Sequence, residues 1–128
     1  MQIDVECIRD ILFTVEKNAT FKNPFRTEKC STKYPVLSKY DMNKIEYHFR
    51  YLKMNGMLYV PNPSPHIYEH YDLTPEGHEF LANVRDNNHW DKVKDIASTI
   101  NFSGFNSLFE IAKGLARIAV NQQLESLK

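Results

Sequence analysis

Apolar residues return along this chain at two different spacings. Over residues 4–17, "DVECIRDILFTVEK", Val5, Ile8, Ile11, Leu12 and Val15 recur every three or four positions, which predicts a first amphipathic helix with Cys7 beside the stripe. Asp4 and Glu6 place negative charge near its N-terminus, where the helix dipole favours it, and Asn18 can close it. The same spacing returns over residues 41–56. There Ile45, His48, Phe49 and Leu52 share one face, while Asn43, Glu46, Tyr47, Arg50 and Met54 share the other, flanked by Lys44 and Tyr51. Asp41 suits the N-cap of this second helix, and Gly56 suits a left-handed residue just past its end.

After Gly56 the spacing becomes strand-like. Residues 57–60, "MLYV", and 66–73, "HIYEHYDL", predict two strands, separated by the proline-rich loop "PNPSP" that cannot pair. A third helix is expected over residues 74–86, with Thr74 as cap, Pro75 in the first turn, and Phe80, Leu81 and Val84 facing inward. A shorter helix over residues 89–100 carries Trp90, Val93, Ile96 and Ala97, and "NFSGFN" is a turn. Ser107 and Glu110 form a capping-box pattern that opens a last helix with a stripe of Leu108, Ile111, Ala112, Leu115, Ile118 and Ala119. Residues 18–40 show no period and are expected to be a loop or an extended connection.

Helix, glycine, strand, loop, strand is the second half of a winged helix. The expected fold is therefore mainly α (α+β): a winged helix-turn-helix with a two-stranded β wing and additional C-terminal helices. It forms one domain over residues 1–128, with a core over 1–86 and a helical extension over 87–128. Helix 41–55 then occupies the recognition-helix position, where outward side chains meet base edges and phosphates. The candidate DNA-binding residues are Lys39, Asn43, Lys44, Tyr47, Arg50 and Tyr51 on or beside this helix, and Asn62, Ser64 and His66 on the wing. Arg50 suits guanine, Asn43 suits adenine, and the lysines and tyrosines suit phosphate. Glu46 at the centre of the same face opposes phosphate, and Met54 is apolar. Both fit a protein partner, so the alternative is a protein-interaction module without DNA binding.

Charge narrows the choice only locally. The chain carries 16 basic and 16 acidic side chains, which argues against a coat of general nucleic-acid affinity. Residues 17–53, however, hold nine basic against three acidic residues, so any basic field is confined to one region. Within it Lys22, Arg26, Lys29 and Lys33 are candidate phosphate contacts; the competing reading is that they solvate a loop.

The chemistry of enzymes is not evident. Phosphate-binding, dinucleotide-binding, zinc-protease and nucleophile-elbow motifs are lacking, so no catalytic residue, metal or cofactor is expected. His66 and His70 fall on one side of a strand without a cysteine pair to complete a zinc site. His78 beside Glu76 and Glu79 is expected to pack against the wing, His48 to be a satisfied core histidine, and Arg85, Asp86 and Trp90 to form an ion pair or cap between two helices. No run of about 18 apolar residues predicts a membrane span. The N-terminal residues carry acids rather than a signal-peptide core, and Cys7 and Cys30 are expected to be reduced thiols in a cytoplasmic protein. Gly114, Ala112, Ala116 and Ala119 would let the last helix, residues 107–124, pack closely on its own core or pair across a homodimer axis.

Tyr47, His48, Leu52 and Gly56, followed by Leu73, Thr74, Glu76, Gly77, His78, Phe80, Leu81, Arg85, Asp86 and Trp90, resemble the pattern of a bacterial and prophage family known as domain of unknown function 2513. The resemblance covers most of the chain and is weakest over residues 18–40. Its members often occur in phage or mobile-element settings, which implies a regulatory or host-interaction role. It implies no catalytic residue.

Overall fold

Asp4 opens the first helix, α1 (Val5–Asn18), by accepting the backbone N–H groups of Glu6 and Cys7 on its carboxylate. This satisfies two donors that a helix N-terminus otherwise leaves unpaired. The computed structural model describes residues 1–63, 69–100 and 104–128. After α1 come β1 (Phe25–Arg26), α2 (Cys30–Lys33), a 3-10 turn at Pro35–Leu37, α3 (Met42–Met54), β2 (Leu58–Tyr59), β3 (His70–Leu73), α4 (Pro75–Val84), α5 (Asn87–Thr99) and α6 (Phe105–Glu125). The fold is α+β and mainly helical, with one small antiparallel sheet among the described residues. It divides into two compact units, Met1–His78 and Glu79–Lys128.

In the first unit, α1 buries Cys7, Ile8, Ile11, Leu12 and Val15, and α3 buries Ile45, His48, Phe49 and Leu52, as the periodicity predicts. Each of the Ile, Leu, Val and Phe side chains removed from water contributes on the order of 2 kcal/mol. Asp41 caps α3 by accepting from the Lys44 N–H at 2.8 Å. At the other end Gly56 has φ +76°. The Met57 N–H reaches the Leu52 carbonyl at 2.9 Å, and the Gly56 N–H reaches that of Lys53 at 3.1 Å. This is a Schellman closure, and it turns the chain from helix into strand within three residues, 55–57.

The sheet differs from the expected two-stranded wing. It has three strands in the order β1-β3-β2, with Phe25 opposite Tyr71, Arg26 opposite His70, Leu58 opposite Leu73 and Tyr59 opposite Asp72. The extra strand comes from the segment expected to be a loop or an extended connection. Phe25 holds it in place by stacking on Phe49 at 5.7 Å, and Tyr71 lies 5.0 Å from the same ring. A strand of two residues has no period to display, and a helix of four, α2, has barely one turn.

Thr74 joins sheet to helix. Its hydroxyl donates to the Gly56 carbonyl at 2.5 Å and accepts the Gly77 N–H at 2.9 Å, capping α4 as expected. His78 does not pack: it stands exposed on α4.

In the second unit Phe80, Leu81 and Val84 are buried, as are Trp90, Val93, Ala97, Phe105, Leu108 and Ala112. Phe105 lies 5.1 Å from Phe80 and 6.0 Å from Phe109. Asp86 caps α5 through the His89 N–H at 3.0 Å, as the cap reading expects, so this helix begins two residues before the expected start, and Arg85 is exposed. Ile96 is exposed because it lies off the line through Trp90, Val93 and Ala97. α6 begins at Phe105 with Gly104 as its cap, so Ser107 and Glu110 lie inside the helix and form no capping box. Burying Phe105 extends the helix upstream of Ser107. The expected core stripe fades after Ala112, and Ile118 is exposed.

Candidate nucleic-acid interface

α3 offers one face to the first unit's core and the other to solvent. Asn43, Glu46, Arg50 and Met54 are exposed, and Tyr47 and Tyr51 are half-buried. The Arg50 guanidinium lies 5.3 Å from the centre of the Tyr47 ring, a cation–π contact one helical turn apart that holds the arginine along the exposed face. Beside it opens a cleft of about 500 Å³ lined by Thr27, Glu46, Phe49, Arg50, Lys53, Glu69 and Tyr71. Lys53 Nζ meets Glu69 at 3.1 Å across the opening. A hydrogen bond from Tyr71, followed by Lys53, holds the Glu69 carboxyl below its usual range, while burial and that same bond push the Tyr71 phenol up.

The two lysines at the start of this face already have partners. Lys44 Nζ lies 2.6 Å from Asp4, and Lys39 Nζ lies 3.2 Å from Asp10. The hydrogen bond with Asp4 raises Lys44 above the usual lysine value. Burial opposes ionisation of Asp4, but the Lys44 hydrogen bond and the two backbone N–H donors outweigh it, and its carboxyl sits below the ordinary range. Both ammonium groups lie 5.4 Å from the Tyr40 ring, whose hydroxyl donates to Asp10 at 2.7 Å. Lys44 ties α3 to α1 and Lys39 ties the segment before α3 to α1, and a phosphate would compete with carboxylates for both.

The remaining basic candidates stand elsewhere. Lys29, held in the left-handed region at φ 53°, precedes α2 and Lys33 ends it, and both are exposed. Phe25 and Tyr71 point toward α3, so alternation along the strands sends Arg26 and His70 to the opposite face of the sheet. There they line a second cleft of about 470 Å³ with Lys22, Asn23, Pro24, Asn62 and Pro63. The structure thus brings Lys22, Arg26 and Asn62 together but sets them on a face separate from Arg50. Ser64 and His66 lie outside the described residues. No local pattern points to His70 or Asn23 in this cleft, because only the pairing of β1 with β3 brings them there.

His48 is fully buried and satisfied. Its Nε2 accepts the Asp4 N–H at 2.8 Å, and its Nδ1 lies 2.8 Å from the Lys44 carbonyl. Cys7 and Cys30 are buried free thiols. Among the described residues no group of three or more His, Cys, Asp or Glu is placed to hold a metal, and no helix is long and apolar enough to cross a membrane.

An outward-facing helix that runs through a glycine into a small antiparallel sheet defines the class: a mainly helical α+β chain. The chain belongs to the family described as "Hypothetical protein (DUF2513)", whose model matches residues 2–103. No curated protein and no solved structure matches it.

Proposed function

We propose that this chain is a winged-helix DNA-binding protein, a small cytoplasmic transcriptional regulator of a phage or mobile element, with α3 as its recognition helix. The observation that carries this reading is the solvent-facing row of exposed Asn43 and Arg50 with half-buried Tyr47 between them, on a helix whose opposite face is fully buried. The element order supports it: helix, strand, short helix, α3, then two strands, with β3 between β1 and β2. The phage setting rests on the family resemblance alone. Arg50 reads guanine or binds phosphate, Asn43 pairs with adenine, and Tyr47 donates to phosphate.

The test is fluorescence anisotropy of labelled duplex DNA at roughly 50 and 200 mM salt, with wild type beside Arg50→Glu. Wild-type binding at low salt that weakens by orders of magnitude at high salt and vanishes in the variant is the expected result. No duplex binding by the wild type sinks the reading.

A second reading has its own support. Met54 is 79% exposed and Glu46 is exposed on the same face, while Lys39 and Lys44 are already paired with carboxylates. Those features suit a host-protein contact, and a pull-down that depends on Met54 and Glu46 without DNA affinity favours it. In either case we assign homodimerisation to α6, whose C-terminal turns expose Ile118, Val120 and Leu124.

A further inference from the structure

Phe21 is 97% exposed, more than any other large apolar side chain among the described residues. It does not dangle from a loose segment. The Thr20 N–H donates to the Asn23 carbonyl at 3.0 Å, and the Asn23 N–H donates back to the Thr20 hydroxyl at 3.1 Å. These two bonds close a turn with Phe21 and Lys22 at its tip, and Pro24 fixes the backbone immediately after it.

The turn leads straight into the cleft on the outer face of the sheet. Lys22, Arg26 and His70 give that cleft positive or proton-donating groups, and Asn23 and Asn62 add amides. Glu28 pairs with Arg26 at 3.3 Å, but the guanidinium is largely exposed and can be shared with a phosphate, and Asp72 turns its carboxylate onto the Leu73 N–H at 2.8 Å. A bare aromatic ring on a braced turn beside a basic cleft is the pair of features that proteins use on unpaired nucleotides: cations track the backbone and the ring stacks on a base. A duplex offers no exposed base face to such a ring unless its stack is opened.

We propose that this face binds a single nucleic-acid strand, its phosphates held by Lys22, Arg26 and His70 and one base stacked on Phe21. The site is separate from α3 and goes beyond the duplex reading; either can fail without the other.

The test is anisotropy of labelled oligo-dT and oligo-rU, each roughly 12 nucleotides and within the usual range of site sizes, at about 50 mM salt. The variants are Phe21→Ala, Lys22→Glu/Arg26→Glu and Arg50→Glu. All change exposed side chains, and circular dichroism checks that the fold persists. The wild type is expected to bind at least one strand. Phe21→Ala should bind about tenfold more weakly, as for the loss of one stacked base. The double charge reversal should abolish binding, and Arg50→Glu should leave it unchanged. Phe21→Ala binding as tightly as wild type overturns the proposal. So does a wild type that binds neither strand, or a single-strand affinity lost in Arg50→Glu, which would assign the strand to α3.

Discussion

The backbone N–H of Asp4 donates to Nε2 of the fully buried His48 at 2.8 Å, binding the start of α1 to the middle of α3. For Nε2 to accept, the proton of the neutral ring must sit on Nδ1, which then donates to the Lys44 carbonyl at 2.8 Å. The imidazole is a two-ended brace between helices. His48→Phe keeps the ring volume but leaves the Asp4 N–H without its acceptor. We expect a loss of about 1–3 kcal/mol in urea unfolding, the penalty of an unsatisfied buried group. A variant as stable as wild type would show that the brace adds nothing.

Two glycines should respond to alanine for different reasons. At Gly56 an added Cβ meets nothing within 4 Å, but φ is +76°, so the penalty is conformational, about 1 kcal/mol. At Gly77, inside α4, alanine would ordinarily favour the helix by about 1 kcal/mol. Here its Cβ would collide with the Met57 carbonyl oxygen, which is backbone and cannot swing aside. We expect Gly77→Ala to be the more damaging, by about 2 kcal/mol or more, because the Thr74 link to Met57 and Gly56 must shift with it. Thermal melts of the two variants decide the order.

The contrast between α3 and β1 explains what could be read from the sequence. α3 has 13 residues, so Ile45, His48, Phe49 and Leu52 state its inward face unaided, and Asp41 and Gly56 mark its ends. Phe25 and Arg26 become a strand only because Tyr71 and His70 pair with them from far along the chain. No local pattern records that pairing, and with it goes the outer cleft. Ser107 misled for a related reason: its spacing to Glu110 fits a capping box, but burial of Phe105 overrides the local signal. Single residues on the face of α3 were legible; which cations share a face was not.

The buried thiols give the fold a sensitivity to alkali. Burial pushes Cys7 up to about 12 and Cys30 up to about 11, against an ordinary 9.0. A group whose value is raised on folding holds its proton more tightly in the folded state. Its contribution is whole below about pH 9 and is lost as the pH rises through the folded values. Tyr40 and Tyr71, also raised by burial, act in the same direction at higher pH. We expect the urea midpoint to fall steadily between about pH 9 and 11, and to fall less in Cys7→Ala/Cys30→Ala measured against its own neutral-pH value. In the wild type a thiol reagent at neutral pH should label neither cysteine until denaturant is added. Prompt labelling of the native chain would contradict the burial on which both expectations rest.

The far end of α6 makes the last prediction. Val120 and Leu124 lie four residues apart, so they form one stripe, and both are exposed, as is Leu127 just past the end of the helix. A lone helix end of this kind leaves apolar surface in water, whereas a second copy packed antiparallel would cover both stripes and give the two-fold symmetry that a palindromic DNA site matches. Sedimentation of the wild type is expected to give twice the mass of the chain at micromolar concentration. Val120→Glu/Leu124→Glu should sediment at the single-chain mass. Because neither side chain is buried within the chain, the variant's far-UV circular dichroism should match that of the wild type. A wild type at single-chain mass across that range removes α6 as a dimer element, and a variant that stays dimeric moves the interface elsewhere.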